Sequence, residues 1–308
     1  MRIIFFGIPD LGLMCLNAFI EKKKDIAAIV LPETNKSAYN VLSDVVRLHN
    51  IPILTFENSL KDADFIEKFK SYNPDVAFVC AYNHKIPEEL LKIPPLGFIN
   101  CHPSLLPHYR GGNPYFHVIA NNETKTGVTI HYMDEEFDTG DIISQYEMDI
   151  TTNETFGTIF SRLNEKSVEM VIDVADRLEK DGKLPGIPQD RSENYKKAPT
   201  VKPERGDIFI DWKKDAACIE RFIRACNPIY GALCYFRNCA VKIWSAEYID
   251  DKKGYNPGTV IKVSHDKITI GTDRGLLVPK TIQVGYFLIT DIQDFIKRLN
   301  PQSGEKFF

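Results

Sequence analysis

Through residues 1–180, short apolar runs alternate with stretches whose apolar positions recur every three or four residues. The runs at 2–6, 26–31, 75–81, 98–100, 128–132 and 142–146 read as strands, and 17–24, 42–50, 62–71 and 155–180 read as helices. Strands that are apolar along their whole length are buried on both faces. The alternation therefore predicts an α/β fold, a Rossmann-like, mostly parallel sheet with helices on both faces. Residues 182–203 lose this periodicity and are rich in Gly, Pro, Lys and polar residues, as a linker would be. Beyond it come a helix at 216–225 and brief strands at 233–236, 240–244, 259–263 and 267–270. Turn signals such as Arg237-Asn238 and Asn256-Pro257-Gly258 separate these strands, which predicts a small C-terminal β-barrel. The expected division is a catalytic domain over 1–185, a linker over 186–203 and a barrel domain over 204–308.

Composition narrows the class. With 308 residues, two domains can each bury a core, and 44% hydrophobic with 26% charged residues is ordinary globular usage. A formal net charge of −4 argues against a surface wholly devoted to nucleic acid, though not against a local patch. The seven cysteines form no CxxC pair and lie in apolar surroundings, so reduced thiols and a cytoplasmic location are expected. The opening apolar run is too short for a signal sequence or a membrane helix, and no membrane association is expected.

The most informative stretch follows the run at 97–99: Asn100-Cys101-His102-Pro103-Ser104-Leu105-Leu106-Pro107-His108-Tyr109-Arg110-Gly111-Gly112. Alternate strand residues share a face, so Asn100 and His102 point together from a strand's C-terminal rim. Open α/β sheets hold their ligands at that rim. An amide donor beside an imidazole can serve one developing oxyanion and one migrating proton. The strand over 127–133 runs into Asp134-Glu135-Glu136-Phe137-Asp138-Thr139-Gly140-Asp141, which can bring a carboxylate to that imidazole. The residues alone do not choose among the acids. Gly7 stands without a GxGxxG pattern, which argues against dinucleotide binding. His84 and His108 lack HExxH or Cys/His spacing, so no metal is expected. Ser104 lacks a GxSxG elbow and reads as a turn residue, not a nucleophile.

Asn-x-His-x-Ser-Leu-Leu-Pro followed by Asp-x-Gly-Asp resembles the formyltransferases that use 10-formyltetrahydrofolate. That family includes methionyl-tRNA formyltransferase, the formyltransferase half of the bacterial aminoarabinose enzyme, and other nucleotide-sugar N-formyltransferases. The likeness runs from Arg2-Ile3-Ile4-Phe5-Phe6-Gly7-Ile8-Pro9-Asp10 to the C-terminal module. There Arg224-Ala225-Cys226-Asn227-Pro228 and Val241-Lys242-Ile243-Trp244 resemble the OB-like barrel of the tRNA enzyme. It implies an enzyme that moves a formyl group from 10-formyltetrahydrofolate, as cosubstrate, to a primary amine. It implies catalytic roles for Asn100 and His102 and selects Asp138 over Asp134 and Asp141 as the carboxylate that orients His102. It also implies two folate-binding loops, one with Tyr82, Asn83, His84 and Ile86, the other with Asp134, Glu135 and Phe137. The first departs from the commoner Tyr-Gly-Leu-Ile-Leu-Pro by carrying Asn83-His84-Lys85. Ser104, Tyr109, Arg110 and Gly111 are candidate acceptor contacts, with Arg110 able either to meet a phosphate or to hold its own loop by bonding carbonyls.

For the acceptor, the tRNA enzymes carry a long basic loop after their second strand. Here the equivalent Pro32-Glu33-Thr34-Asn35-Lys36-Ser37-Ala38-Tyr39-Asn40 is shorter and sets one Lys against one Glu. The module over 204–308 has only a small positive excess, whereas a tRNA-binding protein neutralises several phosphates. A nucleotide-linked amino sugar is therefore the expected acceptor, with initiator methionyl-tRNA as the alternative. Water as acceptor, making a 10-formyltetrahydrofolate hydrolase, stands third. The sequence leaves the oligomeric state open, a homodimer included.

Overall fold

The computed structural model describes residues 1–7, 10–33, 37–57, 59–190, 192, 194–285 and 288–308. The chain divides into two compact units, the first made of 1–114, 125–148 and 161–199, the second of 115–124, 149–160 and 200–308.

The first unit is built on seven strands, β1 (Arg2–Gly7), β2 (Asp25–Pro32), β3 (Ile53–Phe56), β4 (Val76–Cys80), β5 (Phe98–His102), β6 (Lys125–Tyr132) and β7 (Ile142–Asp149), in the order β3-β2-β1-β4-β5-β6-β7. The pairs β1–β2, β2–β3, β1–β4 and β4–β5 are parallel, and β5–β6 is antiparallel. Every residue of β4 is buried, as a central strand covered on both faces demands. The expected α/β sheet is thus present, with one strand more than the apolar pattern showed. That strand, β3, has four residues and sits at the sheet edge, too short and too half-exposed to stand out in the pattern.

Helices cover this sheet: α1 (Leu11–Glu21), α2 (Ser37–Leu48), α3 (Ala63–Ser71), the short α4 (Glu88–Leu91), and most of α6 (Phe156–Asp181). Between α4 and α6, α5 (Pro114–Ala120) belongs chiefly to the second unit. α1 starts well before its apolar period suggested, because Gly7 and Gly12 let strand and helix approach closely. A Cβ on either would lie 3.0 Å from the other's Cα. Leu11, Cys15, Leu16 and Phe19 then face the sheet, with Phe19 edge-on to Phe5 at 5.9 Å.

The second unit carries α7 (Ala216–Cys226), whose N-terminus is capped by Asp215 accepting from the Cys218 N–H at 2.6 Å. Strands β8 (Ala232–Phe236), β9 (Cys239–Ile249), β10 (Val260–Val263), β11 (Ile268–Gly271), β12 (Leu276–Val284) and β13 (Leu288–Asp291) follow, then α8 (Ile292–Leu299). The ladder runs β10-β11-β12-β9-β8, antiparallel throughout, with β13 on β12. β12 escaped the sequence pattern because Pro279 interrupts it, and the register slips on either side of Thr281.

The end of the chain closes this sheet. Phe307 donates its N–H to Gly258 and Val260 donates to Glu305, while Phe308 and Tyr235 exchange both backbone bonds. The two outer strands, β10 and β8, are therefore joined through residues 305–308, which makes the small barrel expected from the sequence. Phe307 is fully buried and stacks on Phe236 at 4.5 Å and Phe295 at 6.4 Å. Phe307→Ala should cost about 3–5 kcal/mol of stability in this unit, read as a lowered urea midpoint. An unchanged midpoint would show that the closure contributes little.

Candidate active site

Antiparallel pairing of β5 with β6 sets Asn100 opposite His131 and His102 opposite Thr129. Directly opposed residues share a face, so these four side chains gather at one end of the sheet. Asp138 reaches them from the loop after β6, with φ 58°, in the left-handed region that Asp tolerates better than most residues. Its Oδ1 stands 3.2 Å from Asn100 Nδ2, 3.6 Å from His102 Nδ1 and 3.8 Å from His131 Nε2. Its Oδ2 accepts the Gly111 N–H at 3.0 Å. The structure thus brings Asn100, His102 and Asp138 together, the two ionisable side chains being only 6% and 12% exposed.

The tautomers follow from the partners. His102 Nε2 lies 2.9 Å from the Tyr109 carbonyl, an acceptor only, so Nε2 carries hydrogen and Nδ1 faces Asp138 with a lone pair when the ring is neutral. His131 Nδ1 likewise donates to the Tyr132 carbonyl at 2.7 Å, which leaves Nε2 to accept from Asn100 Nδ2 at 3.0 Å. Burial pushes the His131 pKa down to about 4, against the pull of Asp138, so this ring is neutral at ordinary pH and is not an ion-pair partner of Asp138. Both hydrogens of the Asn100 amide are consequently occupied, one by His131 and one by Asp138.

A second layer holds Asp138 in place. Arg110 Nε donates to the Asp138 carbonyl at 3.0 Å, and its Nη2 donates to Gln189 Oε1 at 2.7 Å and to the Asp190 carbonyl at 3.2 Å. Gln189, buried, donates in turn to the carbonyls of Asp138 at 3.1 Å and Gly140 at 2.7 Å. Of the two readings of Arg110, these contacts match the one in which it holds its loop. Gln189 and His131 carry no signal in the sequence alone. Gln189 lies in a stretch without periodicity, and His131 became informative only once the β5–β6 register was known.

The remaining candidates separate. Ser104 is fully buried with its hydroxyl donating to the His108 carbonyl at 2.8 Å, and Tyr109 is 5% exposed. Both side chains therefore pack into the wall of the site. Gly111 acts through its backbone: at φ 118° a Cβ would sit 2.5 Å from the Ala198 carbonyl oxygen.

In the first loop Tyr82 is half-buried, its ring 5.3 Å from both Phe6 and His84, and His84 stands edge-on to Phe56 at 5.4 Å. Asn83 is exposed and Ile86 is buried. In the second loop Asp134 accepts from Thr139 Oγ1 at 2.5 Å and the Glu136 N–H at 3.1 Å, while Glu135 is exposed and Phe137 is 56% exposed. Lys85 joins the two loops, 3.7 Å from Glu136 and 6.0 Å from the Phe137 ring centre. Aromatic rings and turn backbones suit a flat heteroaromatic ring. No cluster among the described residues has the composition to hold a metal, and none of their helices is long and apolar enough to cross a membrane.

Gly111→Ala should destabilise the first unit by roughly 1–3 kcal/mol, because it forces an unfavourable φ and displaces the backbone at Ala198. Urea denaturation measures it, and a variant as stable as the parent would show that the loop adapts freely.

Residues 1–175 match the family described as Formyl transferase, and residues 202–300 match Formyl transferase, C-terminal domain. Among sequence relatives, the methionyl-tRNA formyltransferase of Clostridioides difficile is 37% identical over 310 residues, spanning 99% of both chains. Among solved structures, WlaRD, a sugar 3N-formyl transferase crystallised in the presence of dTDP and 5-N-formyl-THF, aligns with a TM-score of 0.67 at 21% identity. That alignment spans 94% of this chain and 99% of WlaRD. HypX from Aquifex aeolicus, in complex with tetrahydrofolic acid, aligns at 0.62 and 19% identity over 99% of this chain, which spans about half (48%) of HypX. The two structural likenesses establish a shared fold.

Proposed function

The chain belongs to the formyl transferase family, and on that premise we propose that it carries a formyl group from 10-formyltetrahydrofolate to the amino group of methionyl-tRNA. The convergence of Asn100, His102 and Asp138 on one strand-end site is the observation that carries formyl transfer. Full-length identity to methionyl-tRNA formyltransferases favours that acceptor.

When bound, the folate supplies an activated formyl carbon; the attacking amine is its own nucleophile, so the protein needs none. Its side chains must hold the reactants together, meet the negative charge on the formyl oxygen, and move one proton from the acceptor nitrogen to the leaving nitrogen. His102, with Nδ1 toward Asp138, is placed to carry that proton. As the ring gains charge, Asp138 Oδ1 is drawn from Asn100 toward His102, closing the 3.6 Å gap. The freed Asn100 hydrogen is then available to the oxyanion. Positively charged His102 and donated Asn100 thus arise in the same step. The loops at 82–86 and 133–138 offer aromatic faces and backbone groups to the folate ring.

His102→Ala and Asn100→Ala should each lower turnover by about a hundredfold or more with the melting temperature kept. A folded His102→Ala variant working at the parental rate would remove the proton-carrying role.

One observation favours a second acceptor, a nucleotide-linked amino sugar: the short, charge-balanced stretch after β2, of which residues 34–36 lie outside those described. Labelled 10-formyltetrahydrofolate offered to charged initiator tRNA, to nucleotide-linked amino sugars and to water separates the readings. Labelled formyl-methionyl-tRNA is expected, with affinity falling steeply between low and moderate salt as phosphate contacts require. Label on the sugar alone, with tRNA binding weak at any salt, would install the second reading, and release of formate alone would indicate a hydrolase.

A further inference from the structure

One amide has two hydrogens and two acceptors here, and the acceptors are not equivalent. Asp138 is an anion on a loop, shared between Asn100 and His102. His131 is a neutral ring on β6, a strand paired on both sides, 1% exposed, with its Nδ1 hydrogen bound to the Tyr132 carbonyl and its Nε2 lone pair fixed on Asn100. Strand register places it directly opposite Asn100, so backbone hydrogen bonds on both strands hold the pair.

A terminal amide is nearly symmetric in shape, and its two ends differ only in being donor or acceptor. If Asp138 leaves during the reaction, an amide with no second anchor can turn over and offer its carbonyl oxygen to the oxyanion, which repels it. An acceptor that cannot leave prevents this. We infer that His131 is a positioning residue for formyl transfer: by accepting one Asn100 hydrogen throughout, it keeps the other aimed at the developing oxyanion when Asp138 moves to His102. The inference rests on the formyl-transfer reading. The ring can do this only while Nε2 has its lone pair, and its burial maintains that state.

A double-mutant cycle tests it. Formyl transfer is measured with labelled 10-formyltetrahydrofolate, on charged initiator tRNA and on a nucleotide-linked amino sugar. The chains are the parent, His131→Leu, His131→Gln, Asn100→Ala and the His131→Leu/Asn100→Ala double variant. His131→Leu removes the acceptor at similar volume, and His131→Gln sets an oxygen near the position of Nε2. His131→Leu should lower kcat about tenfold or more with both KM values within about twofold of the parent. His131→Gln should recover most of that loss. In the Asn100→Ala background the same Leu substitution should cost less than about twofold, since the amide it orients is gone.

A cost that persists in full without Asn100, falls on KM, is shared by Gln, or is absent overturns the inference. Should His131→Leu melt early, His131→Met, pliable and without a comparable acceptor, takes its place in the cycle. A parent that transfers no formyl group would instead overturn the formyl-transfer reading and this inference with it, whereas an Asn100→Ala variant as active as the parent would overturn the inference alone.

Discussion

Asp138 holds a backbone conformation that costs an L-residue roughly 1–2 kcal/mol, and the whole site is organised around keeping it there. Arg110 and Gln189 clamp its carbonyl, and Gly111 donates to its carboxylate. Each of these supports comes from a segment distant in sequence. The 109–113 loop is itself pinned by the stretch at 196–198, where the Lys196 carbonyl accepts from the Tyr109 N–H at 2.5 Å and Ala198 donates its N–H to the Arg110 carbonyl and accepts from the Asn113 N–H. If the left-handed turn relaxed, Oδ1 would leave Asn100 and His102 together, because one oxygen serves both. A single shared acceptor makes their states interdependent.

The electrostatics of this arrangement separate two histidines that share a face and a carboxylate. His131, behind Asn100 and without exposure, loses more by desolvation than it gains from an anion 3.8 Å away, so it stays neutral. His102 lies at the rim with Nδ1 turned to the same oxygen. The inner ring thereby holds its Nε2 lone pair on the Asn100 amide, while the outer one turns Nδ1 to the shared carboxylate. Burial and hydrogen-bond partners, and not residue type, set the two rings apart.

Much of the fold was legible because its strands are long and uniformly apolar. β1, β2 and β4 announce themselves, and α6 carries its period across 26 residues. What escaped had a physical reason for escaping. β3 is a four-residue edge, β12 contains a proline and two register slips, and α8 spans only eight residues, opened by the Asp291 cap. Asn100 and His102 could be paired from strand alternation alone. Asp138 could not be chosen among its acidic neighbours by chemistry, since the choice depends on a left-handed turn and on donors some thirty and fifty residues away.

The segment with the least pattern turned out to do much of the holding. Residues 184–198 read as linker because they lack periodicity, yet Leu184, Gln189 and Ala198 are buried in the first unit. Their order comes from side-chain and backbone bonds to loops, which leave no hydrophobic period to detect: Tyr132 Oη donates to the Leu184 carbonyl, Gln189 bonds two carbonyls of the 138–140 turn, and Ala198 pairs with the 110–113 loop. A periodic pattern reports burial against a flat sheet or a helix stripe. A strap that follows an irregular surface buries isolated residues at irregular intervals, so it looks like a linker in sequence and works as a brace in structure.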